Sequence, residues 1–128
     1  MQLPECRTLL LKAERGVLWL TLNRPEARNA MGMDMLQDIA AAFDSIRESR
    51  EIRAVVLRGA GGHFCAGGDL KGMMAGGMKP PVPGEPDPIV TMNRAFGVLL
   101  RQVSNAPQVV IAVCDGAVMG GGFGLACG

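Results

Sequence analysis

Glycine is the residue type most concentrated where this sequence could do chemistry. The chain carries 18 glycines among 128 residues. They cluster at residues 59–68, 72–84 and 116–128. Such clusters mark backbone that turns sharply or must approach something closely. Two of them, at 59–71 and 114–127, follow short apolar, β-branched runs and lead into helix-like stretches. A strand, a glycine-rich turn and a helix together make an anion-binding arrangement. The first N–H groups of a helix have no intrahelical partner and carry the positive end of its dipole.

Missing residues narrow the choice of anion. A dinucleotide fingerprint fails at Gly59-Ala60-Gly61, where the sixth position is Phe64, and at Gly122-Phe123-Gly124, where it is Cys127. No G-K-[ST] follows either loop, so a phosphate-binding P-loop is excluded. G-x-S-x-G is absent as well, which removes an α/β-hydrolase nucleophile. Two glycine-rich loops aimed at one point suit another task. They can present two N–H donors to a single oxygen, which is an oxyanion hole.

Side chains able to move protons are sparse. His63 is the single histidine and reads as a solvated loop residue. Asp69 is placed to cap a short helix containing Leu70, Met73 and Met74. Asp115 reads as a turn residue bonding its own backbone, and Glu85 and Asp87 as solvated. Met73, Met74 and Met78 either line an acyl pocket or pack in the core. The cysteines, Cys6, Cys65, Cys114 and Cys127, have no C-x-x-C spacing, and with one histidine they make no zinc site. They read as reduced, buried thiols of a cytoplasmic protein.

The elements that must hold these loops follow from periodicity. Thr8–Lys12 and Val17–Leu22 form a β-hairpin across Glu14-Arg15-Gly16. Pro25 then ends the second strand, because it lacks a ladder donor. Leu36, Ile39, Phe43 and Ile46 give residues 33–49 a helical period. Ala54–Leu57 and Val109–Cys114 read as buried strands. Ile89–Val103 is helical, and a last helix spans Gly122–Cys127. The Pro- and Gly-rich residues 75–88 read as a flexible loop. Strands alternating with helices predict an α/β fold with parallel β-α-β units after the hairpin. The last helix meets no cap before Gly128, so residues 1–128 read as part of a larger domain.

Bulk properties exclude several classes. A net charge of +1 argues against a general grip on nucleic acid. Val109–Cys127 is mostly apolar, but Asp115 and Gly120-Gly121-Gly122 argue against a membrane span. Met1–Glu5 has neither a basic nor an apolar signal region, so no signal peptide is expected.

Three stretches carry a family resemblance. Phe64-Cys65-Ala66-Gly67-Gly68-Asp69-Leu70-Lys71 resembles the first signature of the crotonase, or enoyl-CoA hydratase/isomerase, family. Ile111-Ala112-Val113-Cys114-Asp115-Gly116-Ala117-Val118-Met119-Gly120-Gly121-Gly122 resembles its second. Leu22-Asn23-Arg24-Pro25-Glu26-Ala27-Arg28-Asn29-Ala30 resembles its opening strand and CoA-binding turn. The resemblance implies a spiral of β-β-α units about twice this length, assembled as a homotrimer or homohexamer. It implies an acyl-CoA substrate, with coenzyme A as part of that substrate and no separate cofactor or metal. Gly68 and Gly121 N–H would hold the thioester oxygen as it becomes an enolate. Ala66 would lie against the adenine, and Arg24, Arg28, Ala30 and Lys71 would flank the CoA nucleotide. Of the methionines above, Met73 is a further candidate substrate contact.

One position departs from the pattern. Hydratases of the family carry a glutamate three residues after the second glycine of the triplet, and here that position is Gly124. Their second glutamate would lie beyond residue 128. The run Gly120–Cys127 and the opening Leu3–Leu9 are similar to the branch hydrating isohexenylglutaconyl-CoA in acyclic terpene breakdown. An enoyl-CoA isomerase with one glutamate, or a non-catalytic CoA-binding module, fits the same residues.

Overall fold

A computed structural model describes residues 2–68, 83–84 and 88–128. Its order is β1 (Leu9–Glu14), β2 (Val17–Leu22), α1 (Met33–Ile46), β3 (Ala54–Gly59), α2 (Pro88–Ser104), β4 (Val109–Ala112) and α3 (Gly121–Cys127). Single 3-10 turns follow β2 at Pro25–Ala27 and β3 at Ala60–Gly62. The strands form one sheet in the order β1-β2-β3-β4. The predicted hairpin is present, and β1 runs two residues further than expected. Arg15 and Gly16 both adopt positive φ, 51° and 80°, and such a two-residue turn matches the twist of the flanking strands.

Beyond the hairpin the sheet is parallel. Leu18 aligns with Val55 and Leu20 with Leu57, and Val55 and Leu57 align with Val110 and Ala112. This register puts Leu9, Leu18, Leu20, Leu22, Val55 and Leu57 on one face, all buried. Full burial of each such side chain contributes roughly 2 kcal/mol. α1 covers this face with Met35, Leu36, Ile39, Ala42, Phe43 and Ile46, and α2 adds Leu99 and Val103. Side-chain bonds fix the layers. Gln102 Nε2 donates to the Ala40 carbonyl at 3.1 Å. Gln108 Nε2 donates to the Ile46 carbonyl at 2.7 Å and so closes the C-terminal end of α1. α1 stops at Ile46, short of the expected residue 49, where Arg47 and Ser49 N–H groups turn back to Asp44 and Ile46. Thr8 donates N–H and Oγ1–H to Asp38 Oδ2, at 3.0 and 2.6 Å, and pins β1 to α1.

The opposite face of the sheet is less covered. There Arg58 stacks 4.8 Å from the Trp19 ring centroid and donates Nε–H to Thr21 Oγ1 at 3.0 Å. β4 corrects the expectation of a second buried strand. It is the last strand in the sheet order, and Val109, Ile111 and the following Val113 are 64%, 49% and 48% exposed. The apolar run also ends as a strand at Ala112 rather than Cys114. Val109–Cys127 is thus divided between β4, a loop and the short α3. Among the described residues no helix is long and apolar enough to cross a membrane. Pro88 opens α2 instead of closing a loop, a first-turn position where its missing N–H costs nothing. The remainder of the loop expected at 75–88, apart from Pro83 and Gly84, lies outside the described residues.

Candidate functional site

Parallel strands deliver their following loops to one edge. β2 leads to Asn23–Met31, β3 to Gly61–Gly68, and β4 to Val113–Gly120. These three segments are bonded to one another. Phe64 N–H donates to the Asp115 carbonyl at 2.8 Å, and Cys65 N–H to Ala117 at 3.0 Å. Met119 N–H returns to the Cys65 carbonyl at 3.0 Å. On the other side, Ala66 N–H donates to Arg28 at 3.0 Å and Met31 N–H to Gly67 at 2.7 Å. The segment Cys65–Gly68 therefore lies between the other two, bridged to Val118 and to Met31.

Asn29 anchors this arrangement. Its side chain is fully buried, and its backbone is left-handed, with φ 59°. Oδ1 accepts the Arg24 N–H at 2.7 Å, while Nδ2 donates to Ala60 at 3.0 Å and to His63 at 2.8 Å. His63 is half-buried, which corrects the reading of a solvated loop residue. Its Nδ1 accepts the Ala117 N–H at 2.8 Å, so it ties the two glycine loops together.

Close backbone approach explains two of the glycines. Gly67 has φ 108°, and a Cβ there would stand 3.2 Å from the Met119 carbonyl oxygen and 3.8 Å from Gly121 N. A Cβ at Gly122 would overlap the Cys65 carbonyl and stand 2.7 Å from the Cys65 Cβ. Side chains at either position would push the two loops apart.

Beside this junction is a cavity of about 230 Å3, lined by Met31, Leu36, Gly68, Met92, Asn93, Phe96 and Gly121. Gly68 and Gly121, singled out in the sequence, thus border one space. Gly121 opens α3, so its N–H is one that the helix does not use. The rest of the lining is apolar apart from Asn93, which suits an acyl chain with its oxygen at the glycine side. A larger concavity, about 700 Å3, is lined by the end of α1 and the charged segment after it, Asp44 to Glu51, and shares no residue with these loops.

The remaining expected site residues fall as follows. Ala30 is buried, Arg24 is half-buried and Arg28 is exposed. Arg24 Nη1 donates to the Ala30 carbonyl at 3.2 Å. The Ala66 N–H donates to the Arg28 carbonyl, so hydrogen bonds link Arg24 to Ala30 and Arg28 to Ala66. Lys71, Met73 and the proposed cap Asp69 lie outside the described residues. Gly124 sits one turn into α3, with the Phe96 ring edge 3.5 Å from where its Cβ would stand. The cysteines are all free. Cys65 is buried, but Cys114 and Cys127 are exposed, contrary to the expectation of buried thiols. Burial pushes the Cys65 thiol pKa up, against smaller opposing backbone bonds from Gly67 and Met31.

Sequence reasoning did not single out Met31, Met92, Asn93 and Phe96 as lining. The spacing of Met92 and Phe96 puts them one turn apart on a helix face but does not mark that face as a cavity wall.

Comparisons with known proteins identify the family. The family model described as enoyl-CoA hydratase/isomerase matches residues 12–128. The chain belongs to the crotonase, or enoyl-CoA hydratase/isomerase, family, and its α/β fold is the N-terminal part of the crotonase fold. It is 35% identical over 120 residues to 1,2-epoxyphenylacetyl-CoA isomerase of Escherichia coli K12, covering 94% of this chain and 44% of that protein. An enoyl-CoA hydratase/isomerase from Marinobacter aquaeolei superposes with a TM-score of 0.87 at 50% identity, over 95% of this chain and 46% of its own. Pseudomonas aeruginosa AtuE gives a TM-score of 0.85 at 51% identity, over 94% and 45%. The chain therefore spans less than half the length of these relatives.

Proposed function

We propose that the whole protein binds an acyl-CoA thioester, stabilises its enolate oxyanion with the Gly68 and Gly121 N–H groups, and acts as an enoyl-CoA hydratase. The observation that carries this reading is that both glycines border a single, largely apolar cavity. Negative charge gathers on the thioester oxygen as the nucleophile adds. Fixed N–H groups stabilise it without reorganising, and loss of one such donor typically costs about 3–4 kcal/mol of the barrier. Arg24, Arg28, Ala30 and Ala66 supply the surface for the nucleotide end of CoA, with Lys71 and Met73 as further contacts. The sequence likeness to the isohexenylglutaconyl-CoA hydratase branch supports a long, branched acyl group as substrate. The working form is a cytoplasmic homotrimer or homohexamer that needs no cofactor beyond the coenzyme A of its substrate.

Gly124 favours a second reading. It cannot transfer a proton, so an isomerase using one carboxylate, or a CoA-binding module without turnover, fits the same cavity. Assay of the whole protein with enoyl-CoA esters separates these. Turnover to a 3-hydroxyacyl-CoA supports hydration, a shifted double bond supports isomerisation, and binding without either supports the module. The oxyanion assignment is tested by Gly121→Pro, which removes the donor at a first-turn backbone position suited to proline, where the flexible Met31 Cε, 2.9 Å from the added Cβ, must move aside. A fall in kcat of roughly 10²–10³ is expected with CoA-ester binding retained. Full activity in a folded Gly121→Pro protein would overturn it.

A further inference from the structure

The Gly67–Gly68 peptide plane is held from behind by two donors. The Gly67 carbonyl accepts the Met31 N–H at 2.7 Å. The Cys65 Sγ lies 3.7 Å from the same oxygen, a weak S–H···O contact. Cys65 is fully buried, which keeps its thiol protonated and able to donate. The peptide is trans, so its N–H points opposite to its carbonyl. In the parallel bridge between Met31 and Gly68, the Gly67 carbonyl is the group that faces Met31. The Gly68 N–H is therefore turned to the other side of the segment. Gly67 itself has φ 108°, a backbone region in which glycine moves freely. Nothing intrinsic to Gly67 or Gly68 would keep this peptide from rotating.

We infer that Cys65 is a positioning residue: with the Met31 N–H, its thiol locks the Gly67–Gly68 peptide so that the Gly68 N–H faces the cavity. This inference rests on the oxyanion reading above for its catalytic meaning, while the lock itself is a property of the free protein. The thiol is not a nucleophile in this role, since it is buried and its S–H is directed at a backbone oxygen. Cys65 also spaces the second loop. Its carbonyl accepts Met119 N–H, and its Cβ and carbonyl abut Gly122, next to Gly121. One residue thus touches the backbone of both donor loops.

The test compares Cys65→Ala with Cys65→Ser in the whole protein. Alanine keeps the Cβ but removes the donor, and serine restores one. Exchange of the Met31 amide, whose N–H donates to the Gly67 carbonyl, reads the lock directly in the absence of substrate. Turnover of an enoyl-CoA ester reads its consequence. Cys65→Ala is expected to exchange several-fold faster there and to lose about tenfold in kcat with KM little changed, a loss on the scale of one hydrogen bond. Cys65→Ser is expected to recover most of both. Unchanged exchange in Cys65→Ala, or no recovery in Cys65→Ser, overturns the lock. Faster exchange with undiminished kcat overturns the role of Gly68 as the donor being aimed, and Gly121→Pro then shows separately whether the oxyanion reading stands.

Discussion

Asn29 donates its side-chain amide to the His63 carbonyl at 2.8 Å, and so joins the turn after β2 to the loop after β3. The same side chain also holds the Arg24 N–H and the Ala60 carbonyl. Asn29→Ala would break all three bonds at a fully buried site and leave a residue poorly suited to φ 59°. A loss of roughly 3 kcal/mol is expected, given the cost of unpaired buried groups. Urea unfolding of the two proteins checks this, and a shift below ~1 kcal/mol would show that solvent replaces the bonds.

Two glycines on α3 should respond in opposite ways to alanine. At Gly124 a Cβ meets only the Phe96 ring, at 3.5 and 3.7 Å, an ordinary contact. Gly124→Ala should raise stability by about 0.5–1 kcal/mol, because glycine is a poor helix residue. At Gly122 a Cβ meets Cys65, including its backbone, which cannot swing aside. Gly122→Ala should destabilise by about 1–3 kcal/mol through overpacking. Paired thermal melts decide, and equal shifts for the two variants would show that the loops do not pack this way.

Alkaline pH should weaken the fold through the buried thiol. Burial raises the Cys65 pKa above the ordinary value of 9.0. The protonated form is therefore favoured by the fold. Its contribution is fully present below the ordinary value and is lost as pH climbs through the raised one. Cys6 moves the same way, first by burial and then by the nearby Asp38 charge. Unfolding midpoints measured between about pH 7 and 11 should fall above about pH 9, and the Cys65→Ala protein should show a flatter alkaline limb. An identical limb in both proteins would mean that Cys65 ionises freely in the folded state.

Much of this fold could be read from the chain. Leu18, Leu20 and Leu22 alternate as a strand must, and Leu36, Ile39, Phe43 and Ile46 repeat as a helix must. The paired glycines were legible because close approach allows little else. Other features depend on partners distant in sequence. The exposure of Val109 and Ile111 follows from the place of β4 in the sheet order, which a local apolar run does not encode. His63 gains its role only when Ala117 N–H arrives from another loop. Asn29 and Cys65 look like motif filler until their backbone partners are known. Asn93 and Phe96 needed the cavity to distinguish them from the rest of an amphipathic helix.

The parallel register has a kinetic meaning. Gly68 follows β3 and Gly121 follows β4, and the crossover that joins these parallel strands must close before the glycines can meet. Long closures cost chain entropy before any contact rewards them. The cavity is accordingly a late product of folding, so the ability to grip a thioester would report the arrival of the native sheet itself.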